Sequence, residues 1–130
     1  MKTLIVDDCT TSRLLLRTFL ASYGLPHTAT GREALEAVRL AWEDGELYDL
    51  ICLDTMMPEM DGHEILRELR GLEEARGFTA GNRVKVVMTT ALTDRTNVLA
   101  AAREHCDAYL AKPIRKARLL EGLSRLRLIT

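Results

Sequence analysis

The chain has 130 residues, 47% of them hydrophobic and 28% charged, which fits one folded core and excludes a disordered segment. Eighteen basic against 19 acidic residues leave a net charge of −1 and a pI near 6.3, a poor electrostatic footprint for direct nucleic-acid binding. No apolar run approaches the roughly 20 residues that span a bilayer, and Asp7-Asp8 interrupts any secretory signal. A cytoplasmic protein without membrane association is expected.

Taken in chain order, short β-rich apolar runs alternate with longer segments of helical period, the signature of successive βα units. Residues 3–6 form the first strand candidate. A helical pattern over 11–23 follows, with Leu16, Phe19, Leu20 and Tyr23 on one stripe and Gly24 as its stop. A weak strand at 27–29 leads through Thr30, a candidate N-cap, into a helix over 32–42 carrying Ala34, Leu35, Val38 and Ala41, with Gly45 as its stop. Strands are expected at 48–53, 84–89 and 108–111, with a final helix over 114–126. Thr93 is the candidate N-cap of a fourth helix. The Val, Ile and Leu runs lack clean alternation, as strands buried on both faces of a parallel sheet do. Residues 71–83, with Glu73, Glu74, Gly77, Gly81 and Asn82, read as a helix end and an exposed loop. The expected architecture is a single α/β domain over 1–130, a (βα)5 doubly wound parallel sheet with helices on both faces and no separate output domain.

The charge is uneven. From Lys112 onward, six bases (Lys112, Arg115, Lys116, Arg118, Arg125, Arg127) face one acid, Glu121, giving +5; the rest carries −6. A solvated basic face on the last helix accounts for this. Cys9, Cys52 and Cys106 are far apart and lack a CxxC spacing, so reduced, mostly buried thiols are expected, with Cys9 filling space at a helix start. His27, His63 and His105 share no metal spacing and read as surface residues.

In such a sheet, ligands gather at the carboxyl ends of the strands. Those ends are few here. The first strand runs out into Asp7-Asp8, the third into Asp54, the fourth into Thr89-Thr90, and the fifth into Lys112-Pro113. Two carboxylates about 5 Å apart repel by roughly 3 kcal/mol at an effective dielectric near 20, so three demand a cation. Lys112 is one; all-oxygen ligation points to Mg²⁺, or a similar hard ion such as Mn²⁺, as the other. Each residue alone has a commoner structural explanation, as a cap, a turn residue or a solvated charge. Their joint placement on successive strand ends makes a site.

LIVDD at 4–8, LDTMMPEMDG at 53–62, TTA at 89–91 and YLAKPI at 109–114 resemble the receiver domain of bacterial two-component response regulators, the CheY-like family. The motifs fall in the family order and cover essentially the whole chain. The resemblance implies the strand order 2-1-3-4-5. It also implies a phosphoacceptor signalling domain, not a metabolic enzyme, with phosphotransfer to itself and slow loss of the group as its only chemistry. Asp54 would accept a phosphoryl group from the phosphohistidine of a sensor histidine kinase or a histidine phosphotransfer protein. Asp8 would bind Mg²⁺ directly and Asp7 mainly through water, with Asp54 and the Met56 backbone carbonyl completing the protein ligands. Lys112 and Thr90 would contact the phosphoryl oxygens, and Lys112–Pro113 matches the family's cis peptide. Thr90 and Tyr109 would form the conformational switch, read by a downstream protein on the fourth helix, fifth strand and fifth helix. The protein would act as a monomer or a phosphorylation-dependent dimer, any output passing through a partner.

Three residues should shape access to the phosphoryl group. Ala91 is small and leaves room for a donor, whereas Met56 and Leu92 are apolar where relatives often carry polar groups and would restrict attacking water. A nucleotide- or flavin-binding enzyme on the same architecture is disfavoured, because the first turn reads Asp7-Asp8-Cys9-Thr10 with no glycine-rich loop. A phosphorylation-independent interaction module is disfavoured because every expected active-site residue is present.

Overall fold

The computed structural model describes residues 1–58, 60–91 and 105–130. Five strands, β1 (Thr3–Val6), β2 (His27–Ala29), β3 (Leu50–Asp54), β4 (Lys85–Ala91) and β5 (Ala108–Lys112), form one sheet in the order β2-β1-β3-β4-β5. All the pairings are parallel. The described helices are α1 (Thr10–Leu20), α2 (Ala34–Asp44), α3 (Gly62–Ala75) and a C-terminal helix (Lys116–Arg125). The expected fourth helix and its Thr93 cap lie outside the described residues, as does Leu92.

The inner strands are mostly apolar because each side of the sheet is covered. Leu4, Val6, Ile51, Leu53, Val86 and Met88 point to one face, where Val38 of α2 and Ile65, Leu66 and Leu69 of α3 pack on them. Ile5, Leu50, Cys52 and Val87 point to the other, against Leu16 and Leu20 of α1 and Leu119 and Leu123 of the C-terminal helix. The period-two alternation expected of any strand is therefore present in direction but hidden in composition.

Boundaries moved at several places. Helix α1 ends at Leu20 and continues as a single 3-10 turn to Tyr23, where Gly24 at φ 117° stops it. Gly45, in the left-handed conformation, closes α2. Thr30 and Glu33 make a capping box, the Glu33 carboxylate accepting from the Thr30 amide at 2.9 Å. β3 begins two residues later than expected and takes in Asp54 as its last residue, and β5 likewise ends on Lys112.

The 71–83 stretch is a helix end followed by a largely exposed loop, as expected, with one departure. Helix α3 ends at Ala75, and Glu73 in its last turn is only 3% exposed. The cause is Arg70, also buried. It pairs with Glu73 at 2.7 Å and donates to the carbonyls of Val84 and His105 at 2.9 Å each and to Asp107 at 3.2 Å. The other oxygen of Glu73 accepts from the Val84 amide, and Asp107 accepts from the Val86 amide. This network ties the loop to the amino ends of β4 and β5.

Candidate functional site

Strand register decides what meets at the carboxyl edge. Val6 pairs with Leu53, Asp54 with Thr89, Thr90 with Ala111 and Ala91 with Lys112, so Asp7 emerges beside Asp54. Asp7 is 1% and Asp54 7% exposed. The Lys112 ammonium bridges them, 3.2 Å from Asp7 Oδ2 and 3.4 Å from Asp54 Oδ2. The second Asp7 oxygen accepts from the Cys9 amide at 2.8 Å, and Asp54 Oδ1 from the Met56 amide at 3.3 Å.

Burial, then the charge of Asp7, pushes the Asp54 carboxyl above its ordinary value, with Lys112 opposing. For Lys112, burial pulls the ammonium down, but Asp54 and Asp7 outweigh it and the net shift is upward. Both shifts express one imbalance: two buried carboxylates share a single cation.

Asp8 takes a different course. It is exposed, and its Oδ1 accepts from the Gly31 amide at 3.3 Å. Among the described residues no group of three or more His, Cys, Asp or Glu side chains is arranged to hold a metal ion. The structure thus joins Asp7 and Asp54 but does not gather all three aspartates into a ready cluster. One ammonium offsets the repulsion of one carboxylate pair, and the third acid keeps its own backbone donor and solvent.

The loop after Asp54 is shaped by a close approach. The Gly62 amide donates to the Thr55 carbonyl at 3.0 Å and Met56 bridges Asp61, so a Cβ on Gly62 would overlap the Asp54 carbonyl oxygen. That contact, more than turn conformation, requires glycine there. Met56 is 67% exposed beside the acceptor, and Ala91 is exposed at the end of β4.

Thr90 is buried, its hydroxyl 3.4 Å from the Ala91 carbonyl. The half-buried Tyr109 ring lies 6.5 Å from His63, tilted by 37°. The Lys112–Pro113 peptide is cis, as expected.

Some expectations need correction. Cys9, expected to fill space, is exposed at the N-cap of α1, and hydrogen bonding from Ser12 lowers its thiol pKa. Burial instead raises Cys52 to about 12 and, with the charge of Asp107, Cys106 to about 11. Of the histidines only His27 is exposed; His63 and His105 are half-buried, and His63 Nε2 is shielded with no partner among the described residues. Sequence reasoning also missed Arg13, Gly31 and Arg32. They line, with Asp8, Thr30 and Met60, a hollow of about 260 Å³ beside the acidic pair. The strand-end rule applied to β2, too weak a strand to draw attention, would have found Gly31.

A model of the response regulator receiver domain matches residues 3–124. The chain belongs to this family. The receiver is 31% identical over 126 residues to the chemotaxis protein CheY-3 of Vibrio cholerae, a match covering 97% of this chain and 91% of that protein. It is also 31% identical to hybrid signal transduction histidine kinase L of Dictyostelium discoideum, where 95% of this chain matches 7% of that much longer protein. Among solved structures it is similar to the receiver domain of a histidine kinase from Syntrophus aciditrophicus, with 30% identity and a TM-score of 0.72 over 96% of this chain and 88% of that one. It is likewise similar to the receiver domain of the histidine kinase CKI1 from Arabidopsis thaliana, solved with Mg²⁺ and BeF₃⁻. There the identity is 26% and the TM-score 0.73, over 98% and 90% of the two chains. The receiver is thus a phosphoacceptor signalling domain. Its relatives include a free-standing regulator and parts of histidine kinases.

Proposed function

We propose that Asp54 accepts a phosphoryl group from a phosphohistidine on a sensor kinase or a phosphotransfer protein, in a reaction that depends on Mg²⁺. The observation that carries this reading is the buried Asp7–Lys112–Asp54 bridge, in which the carboxylates exceed the cations. Mg²⁺ suits that pocket, because it keeps several waters and needs only one or two carboxylates from a protein. Asp7 and Asp54 supply these, with Asp8 and the Met56 carbonyl next to them in sequence; Mn²⁺ would fit the same oxygen donors. When bound, the ion would neutralise charge on the transferring group.

The chain's own residues do the rest. Burial keeps Asp54 poorly solvated and hence a competent nucleophile. Lys112, already in place, can shift from the carboxylates to a phosphoryl oxygen, and Thr90 can turn its hydroxyl from Ala91 towards another. Such positioned charge is most of what phosphoryl transfer asks of a protein. Labelling with a small phosphodonor should give one hydroxylamine-labile acyl phosphate, dependent on Mg²⁺ and abolished in Asp54→Asn. Full labelling of that variant would place the acceptor elsewhere.

The new dianionic group gives Thr90 and Lys112 interactions that the free state lacks, which is the differential binding that a population shift requires. Tyr109, on the same strand as Lys112, would transmit it to a partner protein reading β5, the C-terminal helix and the expected fourth helix. Beryllofluoride on Asp54 should therefore shift backbone amide resonances from Asp94 to Leu126. Changes confined to the loops at Asp7 and Asp54 would overturn the switch.

A further inference from the structure

At the opposite end of the sheet from Asp54, α2, the segment after α3 and the amino ends of β3 and β4 enclose a cavity of about 240 Å³. Its walls include Trp42, Tyr48, Phe78 and Arg83. This is below the roughly 300–1,000 Å³ of sites for drug-sized ligands, so it suits a molecule of metabolite size.

The three aromatic side chains of the wall are held in place. Phe78 stacks on Trp42 with centroids 5.8 Å apart and planes at 25°, and the Arg76 guanidinium lies 4.6 Å over the Trp42 ring. Tyr48 is fixed by a 2.9 Å hydrogen bond with His27 and by the Lys2 ammonium over its ring. Thr79 and Asn82 brace the loop, the Asn82 side chain accepting from the Thr79 amide at 2.6 Å.

The charged groups around the space are mostly engaged with one another. Asp49 accepts from the Lys2 amide at 2.8 Å, Glu73 is paired with Arg70, and the Lys85 ammonium lies 4.0 Å from Asp107. Arg83 is different. It lines the cavity, and among the described residues its guanidinium has no ion pair. A planar carboxylate is the group whose geometry best matches a guanidinium.

We propose that this cavity binds a small aromatic carboxylate, its ring against the Trp42, Phe78 and Tyr48 walls and its carboxylate paired with the guanidinium of Arg83. Apolar and aromatic walls with a few placed polar groups are the usual composition of a small-molecule site. The ligand would sit a full strand length from the phosphoacceptor, and the two sites share no residue.

Trp42 is the only tryptophan, so its fluorescence reports occupancy directly. The full chain is titrated with benzoate, phenylacetate and 3-phenylpropionate, and in parallel with their amides, which keep the ring and lose the charge. At least one carboxylate should give a saturable change with a midpoint on the order of 1 mM or tighter. Its amide should bind at least roughly tenfold more weakly, and Arg83→Gln should weaken the acid by a similar factor. Arg83→Gln should also keep the wild-type thermal midpoint. No saturable response to any of the acids would overturn the proposal, as would equal binding of acid and amide by the wild type, a comparison that does not depend on how the variant folds.

Discussion

Both ends of the sheet bury ionised side chains, and they treat them in opposite ways. At the amino end, Arg70 and Lys85 face Glu73 and Asp107, and the two acids also accept from the Val84 and Val86 amides. Charges balance there, so the cluster holds a loop in place. At the carboxyl end, Asp7 and Asp54 share Lys112, and the net shift on Asp54 is upward. A buried cluster that is short of one charge is an unfinished interaction, and it is at this end that the proposed cation and phosphoryl group would bind. Balance separates a structural cluster from a functional one better than burial does, since both are buried.

The comparison is sharpened most by removing Arg70. Arg70→Met leaves Glu73 and Asp107 buried without their shared cation, and breaking such a cluster costs about 3–5 kcal/mol. Urea unfolding should show that loss, while folded protein still labels on Asp54. A loss under about 1 kcal/mol would mean that the network is not what pins the loop.

The next effect concerns the lifetime of the acyl phosphate. No carboxylate or amide at Met56 or Leu92 can orient an attacking water, and the exposed Met56 thioether stands beside the acceptor. Decay at fixed Mg²⁺ and pH should be roughly tenfold slower in the wild type than in Met56→Asn/Leu92→Glu, about 1.4 kcal/mol in the barrier. Equal rates would remove these side chains from the control of water access.

The smallest effect has the opposite sign to most core substitutions. Because burial and Asp7 raise the Asp54 carboxyl, its ionised form destabilises the metal-free fold. Asp54→Asn should therefore raise the unfolding midpoint by a few degrees near pH 7, the size of an effect on the order of 1 kcal/mol in a domain of this length. A raised folded-state pKa means that the wild type regains stability as pH falls through it. The advantage of the variant should then shrink towards acid pH. A variant less stable than the wild type at pH 7 in chelator would show that the Lys112 pairing outweighs the burial cost, and would erase the contrast between the two ends.

Much of this protein was legible in its residues. Buried strands announce themselves by unbroken apolar runs such as those of β1 and β3, and the strand-end rule selects Asp7, Asp8, Asp54, Thr90 and Lys112 from the sequence alone. These signals are local, because a strand end and the residue after it are adjacent in the chain. Tertiary structure decided the rest. Strand register placed Lys112 between Asp7 and Asp54 and left Asp8 with Gly31. Packing buried Glu73, because the Val84 amide that it accepts from and the Asp107 and His105 partners of Arg70 lie on other segments, while two adjacent glutamates near glycines read as solvated. The need for glycine at position 62 came from one backbone oxygen, and the cavity behind Trp42 came from a loop folding over it. Composition and period determine which faces are buried; which charges then meet is set by distances between segments far apart in sequence.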